Sequence, residues 1–182
     1  AAFFVFWDSA IQESQMHSSI VFMGVAGCGK SSLGAAVAAD LGLRLVEGDD
    51  HHSAESRDKM ARGIALTDAD RAGWLERLGR ELQAGEGGTV LTCSALKRAY
   101  RDLLRAASPG LRFVFLDIDR EEAARRVAAR ASSHFFSSSL VDSQFATLES
   151  PVGEPGVLRV DASLPLPELK ARVRAWLQGE TQ

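Results

Sequence analysis

Gly24-Val25-Ala26-Gly27-Cys28-Gly29-Lys30-Ser31 meets the pattern G-x-x-x-x-G-K-[ST] at every constrained position, and the fold follows from how it is read. Its glycines allow the backbone to turn back so that successive N–H groups point inward at phosphate oxygens. Lys30 is then placed to reach β and γ phosphates, and Ser31 to offer its hydroxyl to Mg²⁺. The helix that starts here turns its partly positive N-terminus toward the anion. The loop residues Gly24, Val25, Ala26, Gly27, Cys28, Gly29, Lys30 and Ser31, with Ser32 behind them, form the candidate ATP-binding set.

The pattern constrains few positions, so its surroundings must decide between a phosphate loop and an ordinary glycine turn. A phosphate loop needs a buried strand before it and a helix after it. Residues 19–23, Ser-Ile-Val-Phe-Met, are a short apolar run of strand length. Residues 32–41 carry the Ala and Leu content of a helix, with Leu33, Val37 and Leu41 on one face.

Outward from the loop, 182 residues at 46% hydrophobic suffice for one domain with a single sizeable core. A net charge of -3 with both signs dispersed offers no basic field, so no nucleic-acid partner is expected. The only cysteines, Cys28 and Cys93, do not make a disulfide framework and lack His partners at zinc-ligand spacing; a cytoplasmic setting fits them. Residues 1–7 are apolar but too short to span a bilayer, and no membrane association is expected. With Met16 just before the first strand, residues 1–15 read as an N-terminal extension outside the fold, and residues 16–182 as a single P-loop domain.

Past the first helix, Gly42 is a stop and residues 43–46 read as a second strand with Glu47-Gly48-Asp49-Asp50 at its carboxyl end, where ligands sit in parallel sheets. If that strand lies close to the first, Asp49 stands near the γ phosphate. A carboxylate there can take a proton from a hydroxyl or help hold Mg²⁺, although a cap or turn role is the bland alternative. Helices follow over residues 53–61 and from Thr67, the latter turning Trp74, Leu75, Leu78 and Leu82 inward.

A third strand over residues 89–93 ends in Cys93-Ser94, where an ordinary ATPase would carry a metal-binding Asp. Ser94 reads as an N-cap, and Lys97 and Arg101, four apart, share a helix face that can look into the crevice and hold a carboxylate. Two solvated cations are the competing reading. The fourth strand covers residues 111–117, and an Ala-rich helix over 120–131 carries Arg125, Arg126 and Arg130. Residues 132–139 are serine-rich around two aromatics, as in a flap over a site. Helices over 140–148 and 166–177 and a strand over 157–160 close the chain. The strand and helix alternation implies a parallel sheet covered on both faces.

Four blocks together resemble the gluconokinase family of small P-loop sugar-acid kinases. They are the loop itself; Gly48-Asp49-Asp50-His51-His52 with Lys59-Met60, Gly63 and the run from Leu66 to Leu75; Cys93-Ser94-Ala95-Leu96-Lys97 with Tyr100 to Arg105; and His134-Phe135 with Leu140, Ser143-Gln144-Phe145, Leu148-Glu149 and Pro151. Ser53 stands where the family pattern has proline.

The resemblance implies a three-layer αβα, nucleotide-kinase-like fold with a five-stranded parallel sheet and a mobile lid at about residues 130–142. It implies ATP-dependent phosphorylation of D-gluconate to 6-phospho-D-gluconate with Mg²⁺, in a family in which homodimers are common. Under it, Lys30, Asp49, Arg126 and Arg130 are the catalytic candidates and Ser31 the Mg²⁺ contact. Asp49, His52, Arg57, Lys97, Arg101 and His134 are the acceptor-binding candidates. A related small-molecule kinase such as shikimate kinase, or a nucleotide-binding pseudo-kinase, is the alternative; a GTP switch would need an N-K-x-D segment, which the sequence lacks.

Overall fold

β1 (Ile20–Met23) alternates its side chains between two separate apolar clusters, Ile20 and Phe22 facing one, Val21 and Met23 the other, with none more than 1% exposed. A strand buried on both faces belongs at the centre of a parallel sheet covered on both sides. In the computed structural model, which describes residues 18–130 and 138–179, it has that place. With β2 (Arg44–Glu47), β3 (Thr89–Thr92), β4 (Arg112–Asp117) and β5 (Val157–Asp161) it forms a sheet of order β2-β3-β1-β4-β5, every neighbouring pair parallel.

The helices among the described residues are α1 (Lys30–Leu41), α2 (Ala54–Ala61), α3 (Asp68–Ala84), α4 (Arg98–Ala107), α5 (Arg120–Ala129), α6 (Ser138–Thr147) and α7 (Leu166–Leu177). Leu33 and Val37 of α1, Ala123 of α5 and Leu169 and Val173 of α7 fill one cluster. Trp74, Leu75, Leu78 and Leu82 of α3 and Tyr100 and Leu104 of α4 fill the other, so the fold is the expected three-layer αβα. The anticipated extension over residues 1–15 and most of the anticipated lid lie outside the described residues.

β1 runs straight into the glycine loop, and the chain then crosses to β2 on one side, while β4 lies on the other. The loop therefore stands at the carboxyl end of the sheet, where the strand order reverses and a crevice opens. β2 is not next to β1, because β3 lies between them. Asp49 nevertheless comes within reach of the loop, because it sits on a 3₁₀ turn (Gly48–His51) that follows β2.

α3 starts as its sequence predicts. Thr67 Oγ1 accepts from the Asp70 N–H at 3.2 Å and Asp70 Oδ2 accepts from the Thr67 N–H at 2.9 Å, a reciprocal cap. Lys59 Nζ adds a contact at 2.7 Å that joins α2 to α3 and, ahead of the Thr67 bonds, draws the Asp70 carboxyl down to about 2.

α4 corrects two expectations. Ser94 does not cap it: Ala95 takes φ 46, in the left-handed region, and the helix begins only after Lys97. The orphan N–H of Arg98 is met instead by Glu149 Oε2 at 2.7 Å, a residue distant in sequence. Arg101 does not look into the crevice. It is 0% exposed, donating through Nη1 to the carbonyls of Ala95 and Leu96 and through Nε and Nη2 to Glu154 at 3.0 and 2.6 Å. Nη2 also reaches the Glu149 carbonyl, so this guanidinium braces the turn before α4 against the loop that precedes β5.

Hydrogen bonds from Arg101, joined by Arg105, hold the Glu154 carboxyl down to about 2. Because its pKa is lowered on folding, the pair stabilises fully above the ordinary value of 4.5, and the contribution is lost as pH falls toward 2. Glu154→Gln is expected to cost about 3 kcal/mol in urea unfolding at pH 7. The gap to wild type should narrow steadily between pH 4.5 and pH 3; a gap independent of pH would contradict this role.

Candidate active site

The loop after β1 forms one wall of a cavity of about 250 Å³ lined by Ala26, Gly27, Gly29, Lys30, Ser31 and Ser32. Gly27 has φ 82, and a Cβ there would stand 2.8 Å from the Ala123 carbonyl oxygen, so the turn admits no side chain. Val25 and Cys28 bury their side chains in the core and can contribute only main-chain groups to a ligand. Lys30 folds over the loop, its ammonium donating to the carbonyls of Gly24 at 3.1 Å and Val25 at 3.0 Å. Gln144 of α6 also lines the cavity and accepts from the Ala26 N–H at 2.7 Å, a contact that loop-motif reasoning does not reveal.

Asp49 lines the same cavity, its side chain 77% exposed. Its backbone is held firmly. Trp74 Nε1 donates to the Gly48 carbonyl at 2.7 Å, Arg57 to those of Asp50 at 2.5 Å and His52 at 3.3 Å, and Arg77 Nε to that of His51 at 2.9 Å. The Asp49 carbonyl accepts from the His52 N–H. Gly48 is pressed so close to β3 that a Cβ would lie 2.3 Å from the Thr92 carbonyl oxygen. Arg57, expected to hold the acceptor, is thus placed to hold the turn.

His52 is buried and stacked on Trp74, ring centroids 4.3 Å apart. Burial lowers its pKa to about 4; Asp49 opposes the shift, and Arg71, Arg57 and Arg77 add to it. The 3.8 Å approach of His52 Nε2 to Asp49 is therefore a contact of a neutral imidazole with a carboxylate, not an ion pair at neutral pH. Among the described residues, buried His52 Nδ1 has no hydrogen-bond partner.

Glu47, at the end of β2, was not singled out from sequence. Its Oε2 accepts from the hydroxyls of Ser31 at 2.9 Å and Thr92 at 2.5 Å, bridging the edge strand to the phosphate loop. The carboxylate missing after β3 is thus supplied by β2. Ser31 and Glu47 make an all-oxygen donor set suited to Mg²⁺, which commonly takes one or two carboxylates and completes its shell with phosphates and water. The sequence contained a signal: Glu47 is an acidic residue at the carboxyl end of a strand in a parallel sheet, where ligands sit.

Of the two arginines proposed for the transferring phosphate, Arg130 lines the cavity. Arg126 does not; it donates to Glu122 at 2.7 Å and to the Ala162 carbonyl at 3.1 Å. Lys97 stands apart from the cavity wall, its ammonium 3.0 Å from Asp68 and above the Tyr100 ring. His134 lies outside the described residues. Cys93, fully buried, has its thiol pushed up to about 12 by that burial and is unsuited to act as a nucleophile.

Residues 20–155 match the family model described as "AAA domain". The chain is 43% identical over 148 residues to the thermosensitive gluconokinase of Escherichia coli K12, covering 79% of this chain and 78% of that one. The chain belongs to the gluconokinase family. The gluconokinase of Gluconobacter oxydans is 44% identical over 145 residues, 78% of this chain and 80% of its own length. A solved gluconokinase from Sinorhizobium meliloti 1021 superposes with a TM-score of 0.82 at 46% identity, over 89% of this chain and 92% of that structure. Among the described residues of this gluconokinase-family chain, no helix is long and apolar enough to cross a membrane.

Trp74→Phe keeps the ring and removes the donor to Gly48. The expected cost is about 1–2 kcal/mol in urea unfolding, from the buried carbonyl left unmet. Turnover should fall more than ATP affinity, because the lost bond holds Asp49 rather than the loop; steady-state KM for ATP and kcat measured together would show otherwise if both moved equally.

Proposed function

We propose that this chain is a gluconokinase, transferring the γ-phosphoryl group of ATP to the terminal hydroxyl of D-gluconate to give 6-phospho-D-gluconate. The observation that carries this reading is that Asp49 lines one cavity with Lys30 and the phosphate loop. The gluconokinases to which the chain is 43–44% identical favour the sugar acid over shikimate.

Phosphoryl transfer asks a protein mainly to position its reactants and neutralise charge. In the proposed mechanism the amides of residues 26–31 and Lys30 hold the β and γ phosphates, Lys30 exchanging its two carbonyl partners for phosphate oxygens. Ser31 and Glu47 would hold Mg²⁺, which supplies charge neutralisation between the phosphates when bound. Asp49 accepts the hydroxyl proton or orients the hydroxyl for in-line attack. Neutral His52 is a hydrogen-bonding partner for the sugar chain, and Arg130, which lines the cavity, offsets charge on the transferring group. Lys97 is retained as an outer cation, already matched by Asp68.

A coupled ADP-release assay over D-gluconate, other sugar acids and shikimate tests the assignment; turnover confined to shikimate, or none with any acceptor, would overturn it. Asp49→Asn is expected to retain ATP binding and lose about 10²–10⁴-fold in kcat. Near-normal turnover in that variant would remove Asp49 from the chemistry. Glu47→Gln should raise the Mg²⁺ concentration needed for half-maximal activity while leaving metal-free nucleotide binding intact, a displacement measurable with a fluorescent ATP analogue.

A further inference from the structure

The amides of the phosphate loop are not all in the same state. Among the described residues the N–H groups of Gly27, Gly29, Lys30 and Ser31 meet no acceptor, as suits donors that serve an anion, and that of Cys28 makes a long 3.4 Å contact with the Val25 carbonyl. Ala26 differs. Its N–H donates to Gln144 Oε1 at 2.7 Å, so a side-chain oxygen from 118 residues away stands where the neighbouring amides would take a phosphate oxygen.

This contact fixes which way round the carboxamide lies. An N–H requires the oxygen, so Nε2 is turned away from Ala26. Among the described residues Nε2 has no hydrogen-bond partner, and Gln144 lines the cavity that Lys30, Ser31 and Asp49 also line. The backbone that carries it is anchored: Val141, one turn earlier on α6, is buried in the core, Leu148 packs on the same cluster, and the Glu149 N–H donates to the Leu96 carbonyl at 2.8 Å. The loop is held by α5, because a Cβ on Gly27 would stand 2.8 Å from the Ala123 carbonyl oxygen and 3.1 Å from Val127 Cγ2. With both backbones fixed, the carboxamide is the part free to turn.

A mere brace for Ala26 needs only an acceptor, and a carboxylate would make a stronger one. A carboxamide has a second property: rotation about its last torsion exchanges acceptor for donor, and a donor is what a phosphate oxygen resting on the Ala26 N–H would accept from. The place of Ala26 in the loop indicates which phosphate this is. Gly29, Lys30 and Ser31 stand at the N-terminus of α1, where a phosphate group is favoured by the helix dipole. Ala26 lies three residues upstream of Gly29, away from the helix, and in a loop wrapped around a polyphosphate that step leads toward the group nearest Asp49.

We propose that Gln144 is a contact for the terminal phosphoryl group of the nucleotide: its oxygen holds the Ala26 N–H until ATP binds, a γ-phosphoryl oxygen then takes that N–H, and the turned carboxamide donates to the same group through Nε2. This deepens the kinase reading and rests on it. ADP has no γ group and leaves Gln144 on Ala26. Discrimination between the nucleotide that enters the reaction and the one that leaves it thereby becomes a property of α6.

The test is calorimetric titration of the full chain with ATP and with ADP, in Mg²⁺ and without any acceptor, for wild type, Gln144→Glu and Gln144→Leu. Gln144→Glu strengthens the hold on Ala26 but has no donor for a phosphoryl oxygen, and should lose about 50-fold or more in ATP affinity. Its ADP affinity should fall by no more than about fivefold. Gln144→Leu removes both contacts and should lose about five- to tenfold for ATP while keeping its affinity for ADP. ATP affinity is therefore expected to rank wild type, then Leu, then Glu. A brace gives the opposite ranking, with Glu close to wild type and Leu weakened equally for both nucleotides, and that result would overturn the assignment. Should the Glu variant not fold, the ATP-to-ADP affinity ratio of the Leu variant decides: a fall of about fivefold supports the contact and an unchanged ratio overturns it. A wild-type chain that binds neither nucleotide would overturn the kinase reading and this proposal together, whereas failure of gluconate as acceptor would overturn only the former, the titrations still deciding Gln144.

Discussion

Five consecutive main-chain carbonyls, from Gly48 to His52, each accept a hydrogen bond, four of them from the side chains of Trp74, Arg57 and Arg77. Short turns at strand ends are ordinarily among the softer parts of a fold, because water competes for their polar groups. Here the competition is removed by two helices. α2 and α3 dock on the turn, Gly48 lies against β3 with no room for a Cβ, and the Asp49 carboxylate is left as the exposed group on a rigid support. The proposed catalysis by positioning would rest on this arrangement, since an acid displaced by an ångström loses most of its effect.

The same turn ties the two halves of the site together. Glu47 immediately precedes it and reaches across Thr92 to Ser31, so the edge strand is coupled to the phosphate loop through one carboxylate. His52 follows it and is kept neutral by burial against Trp74, which separates a hydrogen-bonding imidazole from the charged groups around it. In the proposed mechanism, phosphate handling and acceptor handling would thus fall to neighbouring residues of one segment, each fixed by a different partner.

Charge in this molecule is sorted by burial and partner. Arg101, Arg105 and Glu154 form an internal ionic staple that shapes the left-handed turn at Ala95. Such a buried network is costly to break, and every guanidinium nitrogen of Arg101 is engaged within it. Arg126 is engaged by Glu122 and the Ala162 carbonyl, while Arg130 reaches the cavity. Arginines that look alike along the chain therefore fall into braces and ligand-facing groups only when their acceptors are known.

Much of the fold was legible because its causes are local. The apolar runs, the glycine loop, the Thr67 to Asp70 cap and the alternation of strand and helix each depend on residues close in sequence, and Lys30 and Ser31 of the loop line one cavity with Asp49, the acid after the second strand. Helix periodicity put Lys97 and Arg101 on one face but could not say what lay opposite, and Glu149 and Glu154, some fifty residues on, decided that. Sequence by itself determined the sheet, the nucleotide loop and the identity of the acid that faces it, since backbone sterics and hydrophobic spacing act over a few residues. Only the tertiary structure decided which cations remain available to a substrate and which carboxylate stands beside Ser31, because hydrogen-bond partners distant in the chain are chosen by packing.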